Sequence, residues 1–133
     1  MTQLAKNSVV VVDDEPMVRD LLKEILKDMG YQVVAQASNG QLAFEKVKEH
    51  KPEIVCLDIS MPQVNGLDAL ASIKTVSSDI IVIMVTAISD SSEVQQAIRT
   101  GADGYILKPF TGLQIHEAIQ KARSKRQQAS KKG

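Results

Sequence analysis

The chain has 133 residues, 44% of them apolar and 24% charged, with 16 Asp and Glu balanced by 16 Lys and Arg. This is the make-up of one soluble globular domain, so a single folded domain in these residues, with no disorder outside the tail, is expected. No signal-peptide core, no apolar run near the ~20 residues of a membrane span and only one cysteine, Cys56, are present, so a cytoplasmic protein without membrane insertion or disulfides is expected.

The first strand is VVVV (9–12), apolar on both faces, and it delivers Asp13, Asp14 and Glu15 to one point. Val18, Leu21, Leu22, Ile25, Leu26 and Met29 follow at helical spacing, with Pro16 in the first turn and Gly30 as the stop. YQVVAQA (31–37) predicts the second strand, after which Ser38 or Asn39 caps a helix carrying Ala43, Phe44 and Val47. Lys51-Pro52 ends that helix and EIVCLD (53–58) is the third strand. The loop ISMPQVNG leads to a helix with Leu67, Leu70 and Ala71 inward.

IIVIMVT (80–86) predicts the fourth strand, followed by a helix from the Ser/Asp cluster at 89–92 with Val94, Ala97 and Ile98, which stops at Gly101. GYILK (104–108) is the fifth strand, and Ile115, Ala118, Ile119 and Ala122 mark the last helix. Every acid lies at or before Glu117, so the tail after residue 120 is purely basic. It contains no aromatic ring to stack on bases, so no direct nucleic-acid binding is expected; residues 123–133 read as a solvated helix end or linker stub.

Five βα units with nearly all-apolar strands predict a doubly wound α/β domain over residues 8–122, with a parallel sheet in the order 2-1-3-4-5. The crevice of such a fold lies at the carboxyl ends of the strands. There the sequence places Asp13-Asp14, Asp58, Thr86 and Lys108. If the first and third strands are neighbours, three carboxylates converge, and each pair at about 4 Å repels by ~4 kcal/mol at an effective dielectric of about 20. A protonated acid or a bound cation resolves such a cluster, and carboxylates with a carbonyl are the hard ligands of Mg²⁺. With a metal present, the Lys108 amine becomes available to a phosphoryl group, Thr86 adds a hydroxyl, and the small Ala87 leaves room.

VVDDEP, LDISMPQVNG, VTA and GYILKPF, in this order over residues 8–122, resemble the receiver domains of two-component response regulators, especially the stand-alone chemotaxis type. The resemblance implies the flavodoxin-like fold and a phosphoryl group accepted on Asp58 from a sensor histidine kinase or phosphotransfer protein. It implies Mg²⁺ (or Mn²⁺) held by Asp13, Asp14, Asp58 and the backbone carbonyl of Ser60. Lys108, Thr86 and Ala87 would surround the phosphoryl oxygens, with a cis Lys108-Pro109 bond placing the amine. Thr86 and Tyr105 would form the switch, remodelling a face that includes Gln95, Arg99 and Gln114 to act on an output partner, an output domain outside this chain or a second copy in a phosphorylation-dependent homodimer. The protein would be a phosphoryl acceptor that catalyses its own phosphorylation, not a turnover enzyme.

Ser60 and Ile88, two residues beyond Asp58 and Thr86, flank the path of an attacking water. Serine is too short to orient that water and isoleucine helps exclude it, so slow self-dephosphorylation is expected. A metal-dependent aspartyl phosphohydrolase would need an acid where Ser60 stands. A flavin protein would need a hydroxyl- and glycine-rich loop where DDEP repels phosphate. His50 suits a helix C-terminus, and His116 is expected on the polar side of the last helix.

Overall fold

The computed structural model describes residues 4–58, 66–87 and 91–132. Five strands, β1 (Ala5–Val12), β2 (Gln32–Ala37), β3 (Pro52–Leu57), β4 (Ile81–Thr86) and β5 (Gly104–Leu107), pair in parallel in the order β2-β1-β3-β4-β5. The helices α1 (Pro16–Asp28), α2 (Gly40–His50), α3 (Gly66–Val76), α4 (Ser91–Thr100) and α5 (Gly112–Lys132) alternate with them, giving the expected flavodoxin-like architecture.

Strand alternation splits the core in two. Val9, Val11, Ile54, Cys56, Ile81 and Ile83 pack with Leu22 and Leu26 of α1 and Ile115 and Ile119 of α5. Val10, Val12, Val55, Leu57, Val82 and Met84 pack on the other face with Ala43, Val47, Leu70, Ile73 and Ala97 of α2, α3 and α4. Both faces of the central strands are therefore dry, which is why they read as unbroken apolar runs. The same burial holds the Cys56 thiol at a pKa of about 12, so it is an inert core group.

Local sequence sets most boundaries. Pro16 occupies the first turn of α1 behind Glu15 as N-cap. Of the two candidate caps of α2 it is Asn39 whose side chain accepts from the Leu42 amide, at 2.9 Å. Thr111 and Gln114 close a reciprocal capping box on α5: the Thr111 amide donates to Gln114 Oε1 at 2.8 Å and the Gln114 amide to Thr111 Oγ1 at 3.2 Å. Gly101 ends α4 at φ +123°, a backbone conformation that side-chain-bearing residues rarely adopt.

Some inward assignments change. Leu21 and Ile98 are 50% and 58% exposed, and Ala71 is exposed while Ile73 is buried. Each helix rests on one face of the sheet along a stripe narrower than its apolar periodicity, so the flanking members of that periodicity meet solvent.

The expected boundary after Ala122 falls inside α5, which continues to Lys132. Arg123 makes a bidentate pair with Glu53 (3.0 and 2.8 Å), reaches Asn7 Oδ1 at 2.8 Å and covers the Tyr31 ring at 5.5 Å. Arg126 donates to the Ser78 carbonyl (2.7 Å) and Asp103 Oδ1 (3.1 Å). These two basic residues are thus anchored to the sheet end opposite the crevice rather than solvated. Their partners lie up to 116 positions away in the chain, beyond the reach of local composition. His116 also departs from expectation: it lines a groove with Ile25, Met29 and Leu113 between α1 and α5, and its Nδ1 is buried without a hydrogen-bond partner among the described residues.

Candidate functional site

Adjacency of β1 and β3 builds the crevice. Val12 pairs with Leu57, so the residues that follow, Asp13 and Asp58, leave the sheet side by side. The Asp13 amide still donates to Ala37 and the Asp58 amide to Val12, both at 3.1 Å. Asp13, Asp58 and Lys108 thus stand one position beyond their strands rather than as the last strand residues, whereas Thr86 does close β4. The Lys108 amide donates to the Thr86 carbonyl at 2.9 Å, tying the ends of β4 and β5 together. The Lys108–Pro109 peptide is cis.

Asp13, Asp58 and Thr86 are 1%, 2% and 0% exposed, while Asp14 and Ala87 are exposed. Carboxylate oxygens of Asp13, Asp14 and Asp58 all lie within 4.8 Å of one another. Lys108 Nζ bridges the buried pair, 2.7 Å from Asp13 Oδ2 and 3.3 Å from Asp58 Oδ2, and stands 3.6 Å from Glu15 Oε1. Lys108 thus stands within 4 Å of three carboxylates, with Asp14 beside two of them, so the acids outnumber the bases here even with Arg19 on the adjacent loop.

Titration reflects that imbalance. Burial pushes the Asp13 carboxyl above its usual range, outweighing the hydrogen bonds from Lys108 and the Glu15 amide that favour the anion. Burial alone would lower the Lys108 pKa, but Asp13 and Asp58 together raise it, so the amine stays charged. Convergent hard oxygens, two of them on nearly inaccessible side chains and short of positive charge, fit a small divalent cation such as Mg²⁺.

Tyr105 is half-buried in a groove of about 490 Å³ with Val94, Leu107, Gln114 and Lys121. Burial, then the negative fields of Glu93 and Asp58, raise its phenol pKa. Gln114 touches the groove while its amide oxygen serves the α5 cap. Arg99 bonds Gln95 at 3.3 Å on exposed α4. The expected carbonyl ligand on Ser60, and Ile88, lie outside the described residues. His50 sits in the last turn of α2, 3.9 Å from Glu49, away from the crevice.

Two contacts were not legible in the sequence. Glu15 approaches Lys108, and Arg19 Nη1 donates to the Asp13 carbonyl at 2.6 Å. A basic residue on a polar helix face carries no signal that it turns back to the preceding loop.

Residues 9–120 match the response regulator receiver domain. The chain is 42% identical over 113 residues to the chemotaxis protein CheY of Bacillus subtilis (strain 168), covering 85% of this chain and 94% of that protein. It is 43% identical over 114 residues to CheY of Listeria monocytogenes serovar 1/2a, with 86% and 96% covered. Among solved structures it resembles the signal receiver domain of NarL from Mycobacterium tuberculosis, with a TM-score of 0.80, 32% identity, and 87% and 95% of the chains covered. It also resembles the CheX-CheY-BeF3-Mg²⁺ complex from Borrelia burgdorferi, with a TM-score of 0.81, 29% identity, and 84% and 85% covered. Pocket, topology and likeness agree, and the chain belongs to the response regulator receiver domains of two-component signalling, whose common role is to accept a phosphoryl group.

Proposed function

We propose that Asp58 is the phosphoacceptor, taking a phosphoryl group from a sensor histidine kinase or phosphotransfer protein. The observation that carries this reading is the meeting of Asp13, Asp14 and Asp58 within 4.8 Å around a pocket that Lys108 only partly neutralises. Asp13, Asp14, Asp58 and the Ser60 carbonyl would hold Mg²⁺, or Mn²⁺ in its place, and the bound ion would offset charge on the phosphoryl oxygens.

The chain's own residues perform the transfer by positioning. An Asp58 carboxylate oxygen attacks phosphorus as the bond to the donor nitrogen breaks. Lys108 moves its ammonium from the carboxylates to a phosphoryl oxygen, and its preformed place beside Asp58 keeps that reorganisation small. Thr86 donates its hydroxyl to another oxygen, and exposed Ala87 leaves the entry clear. The protein acts once per phosphoryl group, catalysing its own phosphorylation and a slow dephosphorylation in which Ser60 and Ile88 leave the attacking water poorly placed.

Phosphorylation would draw Thr86 toward Asp58 and let Tyr105 turn inward, changing the α4–β5–α5 face for an output partner, an output domain or a second copy. The Borrelia CheY complex joins BeF3, Mg²⁺ and the partner CheX, which supports this coupling of an occupied pocket to a partner. We place the receiver domain from residue 8 to beyond Arg126, with only the end of the basic segment as tail or linker.

Incubation with Mg²⁺ and a small acyl phosphate tests the reading. Metal-dependent phosphoryl incorporation that a chelator abolishes and hydroxylamine removes is expected. A label stable to hydroxylamine would mean a different acceptor chemistry.

A further inference from the structure

We infer that Arg19 is a positioning residue of the cation site, clamping the β1–α1 loop so that Asp14 is presented to the metal. This rests on the proposed reading of the Asp13, Asp14 and Asp58 cluster as a divalent cation site.

Asp13 is held at four separate atoms. Its amide donates to Ala37, its Oδ1 accepts from the Glu15 amide at 2.9 Å, its Oδ2 accepts from Lys108 at 2.7 Å, and its carbonyl accepts from Arg19 at 2.6 Å. Three of these partners come from the sheet, the loop or the far end of β5. Arg19 alone comes from α1, reaching back over the helix N-terminus.

The Asp13 carbonyl needs that partner because both ladders of β1 end at Val12, which pairs with Ala37 and Leu57. A strand residue would pass its carbonyl to a neighbouring amide; here the chain has already turned toward α1. The Arg19 amide also donates to Glu15 O at 3.1 Å, so backbone and side chain of one residue hold both ends of the turn.

Asp14 lies between those ends. It is exposed, and among the described residues its carboxylate makes no hydrogen bond or ion pair of its own, yet it comes within 4.8 Å of two nearly inaccessible carboxylates. Among the described residues no side chain holds this anion so close to its like. The backbone does, fixed on one side by the Asp13 carbonyl on Arg19 and on the other by the Glu15 amide on Asp13. The guanidinium also sets a fixed positive charge against the loop, lowering the repulsion that would swing Asp14 outward.

The other partners open to an arginine on this turn make the choice informative. Glu15, the acid four positions earlier, is the extended N-cap residue of α1, and its carboxylate stands 3.6 Å from Lys108. The guanidinium goes instead to a neutral carbonyl at charge-assisted distance, at the residue whose carboxylate is a candidate ligand.

The test compares Mg²⁺ binding by wild type, Arg19→Ala, Arg19→Lys and, as a site control, Asp14→Ala, using isothermal titration of the intact protein. Amide hydrogen exchange at residues 13–15 of the metal-free proteins is read alongside. Arg19→Ala is expected to weaken binding roughly tenfold, the effect of losing a residue that orients a metal ligand, and to speed exchange at residues 14 and 15 only. Arg19→Lys, which keeps a charged donor, is expected to recover most of both. If Arg19→Ala does not fold, Arg19→Gln, which keeps a donor without the charge, takes its place with the same expectation of weakened binding. Unchanged affinity in a folded Arg19 variant, with wild type still binding and Asp14→Ala not, overturns the role of Arg19 alone. No binding by wild type overturns the cation site and this inference with it.

Discussion

Lys108 Nζ lies closer to Asp13 than to Asp58, 2.7 Å against 3.3 Å, so in the resting pocket the amine chiefly neutralises the acid that is not the proposed acceptor. Replacing Lys108 by alanine is therefore expected to leave Mg²⁺ binding in place while slowing phosphorylation by a small acyl phosphate by roughly 100-fold, the scale of losing one preorganised charge stabiliser. Stopped-flow or quench-flow rates at saturating Mg²⁺ measure it; a rate within a factor of two of wild type would remove Lys108 from the transfer.

Asp13 sets a pH dependence whose sign is opposite to that of a typical salt-bridged acid. Burial raises its folded-state pKa above the unfolded value, so the folded protein binds the proton more tightly. Stability of the metal-free protein from this group is greatest at low pH and is lost as pH rises from the ordinary carboxylate range through the raised value. Urea unfolding across that range is expected to show this loss, Mg²⁺ to reverse it at neutral pH, and Asp13→Asn to flatten it and raise the metal-free melting temperature at pH 7.

Glu53 has the opposite behaviour. Burial disfavours its charge, but Arg123 and the Asn7 amide outweigh that and lower its pKa. Its contribution is fully present above the unfolded value and is lost as pH falls through the lowered one. Arg123→Ala is expected to cost about 1–2 kcal/mol near neutral pH, since it removes a bidentate charged pair and the cover on Tyr31. Glu53→Gln should cost less, and adding it to Arg123→Ala should cost little more. Additive losses would show that the two residues act separately.

Self-dephosphorylation is expected to have a half-life of minutes or longer, with Ser60→Asn shortening it by giving the water an amide to bond. Following phosphoryl loss by intact mass after removal of the donor reads this. A half-life of seconds in the wild type would contradict it.

How much of this was legible in the sequence follows from which interactions are local. VVVV running into Asp13 and Asp14, and IVCL into Asp58, mark strand ends because the doubly covered stretch of each strand is entirely apolar and its first acid comes where the chain leaves the sheet at the crevice end. Pro16, Gly30 and Gly101 mark helix ends for backbone reasons alone. Leu21 and Ile98 misled because periodicity records which side of a helix is apolar, not how wide a stripe the sheet covers. Arg123, Arg126 and Arg19 were out of reach for another reason. Each uses a partner fixed by tertiary geometry, and a basic residue on a helix reads as solvated until that geometry is known.

The assignment of Asp58 as phosphoacceptor is tested most directly by intact mass of wild type and Asp58→Asn after incubation with Mg²⁺ and a small acyl-phosphate donor. Wild type is expected to gain the mass of one phosphoryl group and Asp58→Asn to gain none. Equal labelling of the two proteins would contradict the account.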